Sequence, residues 1–441
     1  MDPVSLLLAF LALTALGVLA GGVTGLAPGL HVNNVAAVVL ATEASWAGIV
    51  VAIAPGAEAE PSVVAGLLAC FLLATAVSHG IFEFIPSVFF GAPSEDTALA
   101  VLPGHRLLLQ GEGARAVALA ARGAFLGVLA SAALFVPLRV LLADPVGLFD
   151  LFRPWTAVFI AGLLVALLVA EVFGHRGGAR RVLRAAGVQA LAGLLGLAVL
   201  RGPSGLAPEV ALFPLFSGLF GVPGLVLSLH RRAAVLPQRL DVSDSLTRAD
   251  LLQALRGSLA GAAVSWLPGL SGGAAAALAS LRRRDRADPA SYMVLLGAVS
   301  TSTAILSVTV LFIIGRARSG AAAAIRGLIE PLPAWSAPAS APAVLLLMLA
   351  SALLAGAIVA PLAGRAGRFL ASRWALAGSR GVSLAVLGIL VVLVGLVTGP
   401  AGLAVWGVAG LVGAVPVVGG VRRIHLMASL LLPVLVSALA G

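Results

Sequence analysis

Apolar runs of about 18 or more residues recur from one end of this chain to the other, and they leave few folds open to it. Inside hydrocarbon such a run must satisfy every backbone amide and carbonyl within itself, which a helix does. Segments near 4–26, 32–53, 61–90, 114–143, 154–173, 182–200 and 210–229 form a first group. Segments near 251–267, 270–281, 289–314, 341–363, 381–398, 402–418 and 424–440 form a second. Composition agrees: 60% hydrophobic and 10% charged over 441 residues, with mean hydropathy +1.10. That is less than half the charge of an ordinary soluble domain. The expectation is an all-α polytopic membrane protein of about 12–14 hydrophobic segments in a cell membrane.

A polar, arginine-bearing stretch at 231–250 separates the groups. It divides the chain into a first transmembrane repeat (1–235), a cytoplasmic linker (236–250) and a second repeat (251–441). The stretch 4–26 has no basic leader and reads as a first membrane segment, not a removed signal peptide. The single cysteine, Cys70, lies in an apolar run and has no redox or metal spacing.

One phrase is written twice, at a constant offset. Gly17, Gly21, Pro28, Gly29 and Leu30 return as Gly257, Gly261, Pro268, Gly269 and Leu270. Proline removes a backbone donor, at a cost of roughly 3 kcal/mol inside a helix, and glycine adds freedom, so each Pro-Gly breaks its segment. In a bilayer such breaks persist only inside protein or beside a water-filled cavity, and a matched pair points to a carrier's substrate site. Basic loops at 174–184, 230–250, 282–286, 364–380 and 421–423 place those stretches in the cytoplasm. Each Pro-Gly hairpin then returns to its side of entry, and five crossings follow in each half. An odd count makes the two repeats inverted in topology. The stretch 315–330, with Arg316, Arg318 and Arg326, falls on the wrong side and is the main exception.

Small or capping residues follow each break: His31, Asn33 and Asn34 after Pro28-Gly29, and Ser271, Gly272 and Gly273 after Pro268-Gly269. Unpaired amides of a helix start, with the positive end of its dipole, suit an anion. The same residues could simply cap and pack their helices. Downstream, Ser78-His79 leads to Glu83, and Ser300-Thr301 stands in the other half. His79 and Glu83 share one helical face and are candidates for H+ or Na+ coupling, with Glu43 a weaker one. Ser78, Ser300 and Thr301 are candidate cavity linings, or bond back to their own helices.

Several classes are excluded. No Gly-rich loop ends in Gly-Lys-Ser/Thr, so no ATP motor is visible, and no His/Cys cluster has metal spacing. No serine, histidine and carboxylate set suggests an enzyme. The net charge of +10 comes from short arginine loops and does not mark nucleic-acid binding. No cofactor is expected beyond a coupling ion. The partners are membrane lipid and a small organic anion; the oligomeric state is open, a homodimer included.

At these residues the chain resembles the large membrane subunit of the tripartite tricarboxylate transporter family, in its archaeal-type branch. The resemblance rests on residues 25–34, 78–87, 91–97 (with Glu95 and Asp96), 102–106, 267–273 and 422–427. It implies ion-driven secondary uptake of carboxylates by alternating access. In bacterial members it also implies a periplasmic substrate-binding protein and a small membrane subunit encoded elsewhere. Only the two hairpin tips carry over as functional residues. The stretch 268–273 is also similar to the Pro-Gly-x-Ser-Gly-Gly hairpin of proteins proposed to translocate polyprenyl phosphate, an alternative with the same anion chemistry.

Overall fold

The computed structural model describes residues 3–27, 32–56, 60–90, 101–172, 178–202, 205–206, 208–230, 236–241, 246–267, 272–279, 288–377 and 379–440. Every regular element among them is helical. In chain order these are α1 (Pro3–Leu26), α2 (Val32–Ala41), α3 (Glu43–Ile53), α4 (Pro61–Phe82), α5 (Phe84–Phe90), α6 (Val101–Leu109) and α7 (Gly113–Leu142). Then come α8 (Leu148–Phe152), α9 (Thr156–Val172), α10 (Ala179–Leu200), α11 (Pro208–Phe216) and α12 (Val222–His230). After the linker follow α13 (Arg248–Ser265), α14 (Gly272–Ala279), α15 (Pro289–Ile314), α16 (Gly320–Leu328), α17 (Ala343–Ala377), α18 (Ser379–Gly419) and α19 (Ala428–Ala440). Eight helical stretches among the described residues are long and apolar enough to cross a membrane. The protein is a multi-pass membrane protein.

Two expected segments are divided. The stretch 32–53 is two helices, because the chain turns at Thr42, whose hydroxyl bonds back to the Val38 carbonyl at 2.6 Å. The return leg after the first break is therefore the 10-residue α2, close in length to the 8-residue α14 after the second. Helix α18 is interrupted at Gly399, φ 63°, ahead of Pro400, at the joint between the expected segments 381–398 and 402–418.

The repeated Gly-x-x-x-Gly phrase is a packing seam in both halves. A Cβ on Gly17 would lie 2.8 Å from the Ala74 Cβ, and one on Gly21 would lie 2.5 Å from the Ser78 Cβ. In α13, Gly257 and Gly261 stand in the same relation to Ala298 and Ser302, each at 3.0 Å. Small residues let these backbones approach where lipid gives no hydrophobic push. Ser78 thus corresponds to Ser302, two residues out of step with the Ala-Val-Ser match of 76–78 to 298–300. The halves also interleave: α7 packs on α15, α17 packs on α4, and α7 packs on α17. As a result α4 and α15 are the most buried of the spanning helices.

A second group, α9, α10 and α19 with α11, α12 and α18, lies beside this core. It is tied by one fully buried acid, Glu171. Its carboxylate lies 3.0 Å from Arg181 Nε, 3.3 Å from Arg422 Nε and 3.2 Å from His425 Nε2. The Arg422 amide also donates to it, and Gln189 Nε2 meets His425 Nδ1 at 3.1 Å.

Candidate anion site

Helix α4 ends at Phe82 because Pro86 has no amide to bond the Phe82 carbonyl. That places Glu83 at the joint between α4 and α5, one turn below His79. Both are buried, 4% and 5% exposed. His79 Nε2 lies 3.5 Å from Glu83 Oε2, and Nδ1 lies 3.1 Å from Thr24 Oγ1 on α1. The Thr24 hydroxyl itself donates to the Ala20 carbonyl at 3.0 Å. From α15, Ser300 Oγ reaches Glu83 Oε1 at 3.5 Å and the Gly80 carbonyl at 3.4 Å. The i, i+4 pair expected from the spacing is thus joined by hydroxyls from two other helices.

His79, Gly80 and Ser300 form one wall of a cavity of about 500 Å³. Val32 and Asn33 from the start of α2, and Gly272 from the start of α14, form others. These are the first turns of the two helices that follow the Pro-Gly breaks. A third helix start, that of α16, adds Ser319, Gly320 and Ala321. Asn33 Oδ1 accepts the Ala321 amide at 3.1 Å, so a residue expected at the anion site or as a cap of its own helix caps α16 instead. Ser319 Oγ accepts the Ala322 amide at 3.1 Å.

Other expected residues lie elsewhere. Ser78 is buried in the seam against Gly21. Thr301 is in the α7–α15 seam, donating to the Ala124 carbonyl at 2.7 Å. Each sits about 100° around its helix from a neighbour that does face the cavity, His79 or Ser300. Glu43 is exposed in the first turn of α3 and takes no place in the cluster, because the break at Thr42 puts it at a helix start and not at mid-segment. Gly273 is buried one residue inside α14 and is not part of the cavity wall. Pro28, Gly29, His31, Pro268, Gly269 and Ser271 lie outside the described residues, as do Glu95, Asp96 and the side chain of Asn34.

The cavity also contains residues that sequence reasoning passed over: Ser265, Ser307 and above all Arg318. Arg318 lies in the short connection between α15 and α16 and borders a second cavity of about 210 Å³, with Arg153, Arg316, Phe149 and Trp266. Among the described residues lining either cavity there is no acid. Burial, with a smaller push from Arg316, lowers the Arg318 guanidinium to about 9, which leaves it a cation at neutral pH. The only sequence signal for it was the arginine pair that broke the loop-charge pattern.

Comparison with known proteins agrees with this architecture. The chain is 30% identical over 313 residues to an uncharacterized protein of Methanocaldococcus jannaschii, covering 70% of this chain and 71% of that one. No solved structure gives a significant match. The model of a family of transporter components matches residues 11–428, nearly the whole chain. On that match the chain belongs to the tripartite tricarboxylate transporter TctA family.

Proposed function

We propose that this protein is an ion-coupled permease for small organic acids, di- or tricarboxylates, working in the cell membrane by alternating access between two inverted repeats. The observation that carries the reading is the chamber walled by the first turns of both α2 and α14, with no acid among its described lining residues. Helix starts present backbone amides and a positive dipole end, which favour a carboxylate without a strongly hydrated partner. The volume is in the range of small-molecule sites. The repeats would run 1–235 and 251–441, joined by the 236–250 linker, with α1–α2 and α13–α14 as their hairpins.

Coupling falls to His79 and Glu83. The Thr24 hydroxyl is committed as a donor to Ala20, so His79 Nδ1 donates to Thr24 and Nε2 turns to the Glu83 carboxyl. A proton entering this pair would sit between Nε2 and the carboxylate, 3.5 Å apart. Protonation there, one wall away from the substrate, makes H+ the favoured coupling ion. A substrate-binding protein and a small membrane subunit, as in tripartite systems, would deliver the acid.

The test is uptake of labelled citrate and succinate into proteoliposomes under an imposed proton gradient. Gradient-dependent accumulation is expected, with Glu83→Gln retaining binding but losing gradient dependence. Accumulation by the Gln variant equal to wild type would remove Glu83 from coupling. Thermal stabilisation by polyprenyl phosphate, and by no carboxylate, would give the site to a lipid phosphate instead.

A further inference from the structure

Arg318 is a half-buried cation without a counter-charge among the described residues. Helix α15 ends at Gly315 in the left-handed region, φ 67°, and α16 begins at Gly320 behind its cap Ser319, so the connection is only a few residues long. Arg316 projects to the surface side, its guanidinium 6.0 Å from the Phe149 ring centre. Arg318 turns the other way, into the wall shared by the two cavities. Its Nε is buried and has no hydrogen-bond partner, and no described carboxylate pairs with it. A desolvated charge without a partner costs free energy, and a long side chain beside a surface loop could reach water instead. An anionic guest in the chamber offsets that cost.

We infer that Arg318 seats one carboxylate of the transported acid at the junction of the two cavities, while the starts of α2 and α14 hold a second, which selects acids bearing two or more carboxylates. The inference rests on the permease reading above and adds its charge selectivity. The planar guanidinium presents two parallel donors matched to a carboxylate, and a single-donor ammonium does not reproduce them. Arg153 and Arg316, around the smaller cavity, bring the same charge to the approach, so that side draws anions inward. This also accounts for two of the three arginines that break the loop-charge pattern: Arg316 and Arg318 border the smaller cavity, and Arg326 lies outside both.

The test is calorimetric titration of the purified full chain in detergent with citrate, succinate and propionate. Wild type is expected to bind citrate and succinate and to bind propionate weakly. Arg318→Gln should lower affinity for citrate and succinate by about 10- to 100-fold and bring them near propionate. Arg318→Lys should recover part of that loss. The ligand-free melting temperature of Arg318→Gln should equal or exceed that of wild type, because an uncompensated charge has been removed. Arg326→Gln, an exposed change in the same stretch and outside both cavities, should leave all three affinities unchanged. Wild-type affinity for citrate in Arg318→Gln overturns the inference alone. So does failure of that variant to fold, since a ligand residue without a carboxylate partner is not needed for folding. A wild-type protein that binds none of the three acids overturns the permease reading and this inference with it.

Discussion

Glu171 and Arg318 are two charges that the molecule treats in opposite ways. At Glu171 a fully buried carboxylate is met by Arg181, Arg422 and His425, with Gln189 behind the histidine. At Arg318 a cation at the chamber wall has a buried Nε with no hydrogen-bond partner and no carboxylate beside it among the described residues. Both arrangements are costly to build, because desolvating an ion costs several kcal/mol before any partner offsets it. In the first the protein supplies the partners, and the result is a joint linking α9, α10 and the 421–427 turn. In the second the partner must come from outside, and the result is a site. A buried charge is therefore informative about function in proportion to what the fold leaves unpaired around it.

That contrast is open to direct attack through stability. The largest effect is expected from Glu171→Ala, which strands two arginines and should cost about 3–5 kcal/mol. It would be read as loss of folded protein on size-exclusion and a lowered unfolding midpoint. Next comes Gly261→Val, which drives a branched side chain into Ser302 and Thr303 across the α13–α15 seam. A cost of about 1–3 kcal/mol is expected from such overpacking, visible as a lower melting temperature. Arg422→Ala removes one half-screened partner of Glu171 and should cost no more than about 1 kcal/mol. Arg318→Gln is the smallest, within about 0.5 kcal/mol of wild type or stabilising, although it removes a half-buried charge. A destabilisation by Arg318→Gln as large as that by Glu171→Ala would erase the distinction between joint and site.

How much of this was legible in the chain varies from residue to residue. The spacing of His79 and Glu83 predicted their pairing, because i and i+4 lie on one helical face wherever that helix is placed. The doubled Gly-x-x-x-Gly phrase marked the seams against α4 and α15, while the Pro-Gly pairs that follow it lie outside the described residues. For Ser78 and Thr301 the choice between lining a cavity and bonding within the helices stayed open, because composition does not say which way an apolar helix faces when it is buried all round; Thr301 bonds the Gly297 carbonyl of its own helix at 3.3 Å. Glu171 and Arg318 were passed over for a related reason. The partners of Glu171 include residues about 250 positions away, and Arg318 is marked by a lack of carboxylate partners among the described residues, so neither leaves a local pattern.

What the sequence determined by itself is the solvent and the secondary structure: long apolar runs must be membrane helices, and two Pro-Gly pairs must interrupt them. Only the tertiary structure decided which polar groups share a chamber. Interleaving α7 on α15 and α17 on α4 rotates each helix to one azimuth. One residue along a helix is about 100° of turn, enough to separate a residue that faces the cavity from one that faces a neighbour.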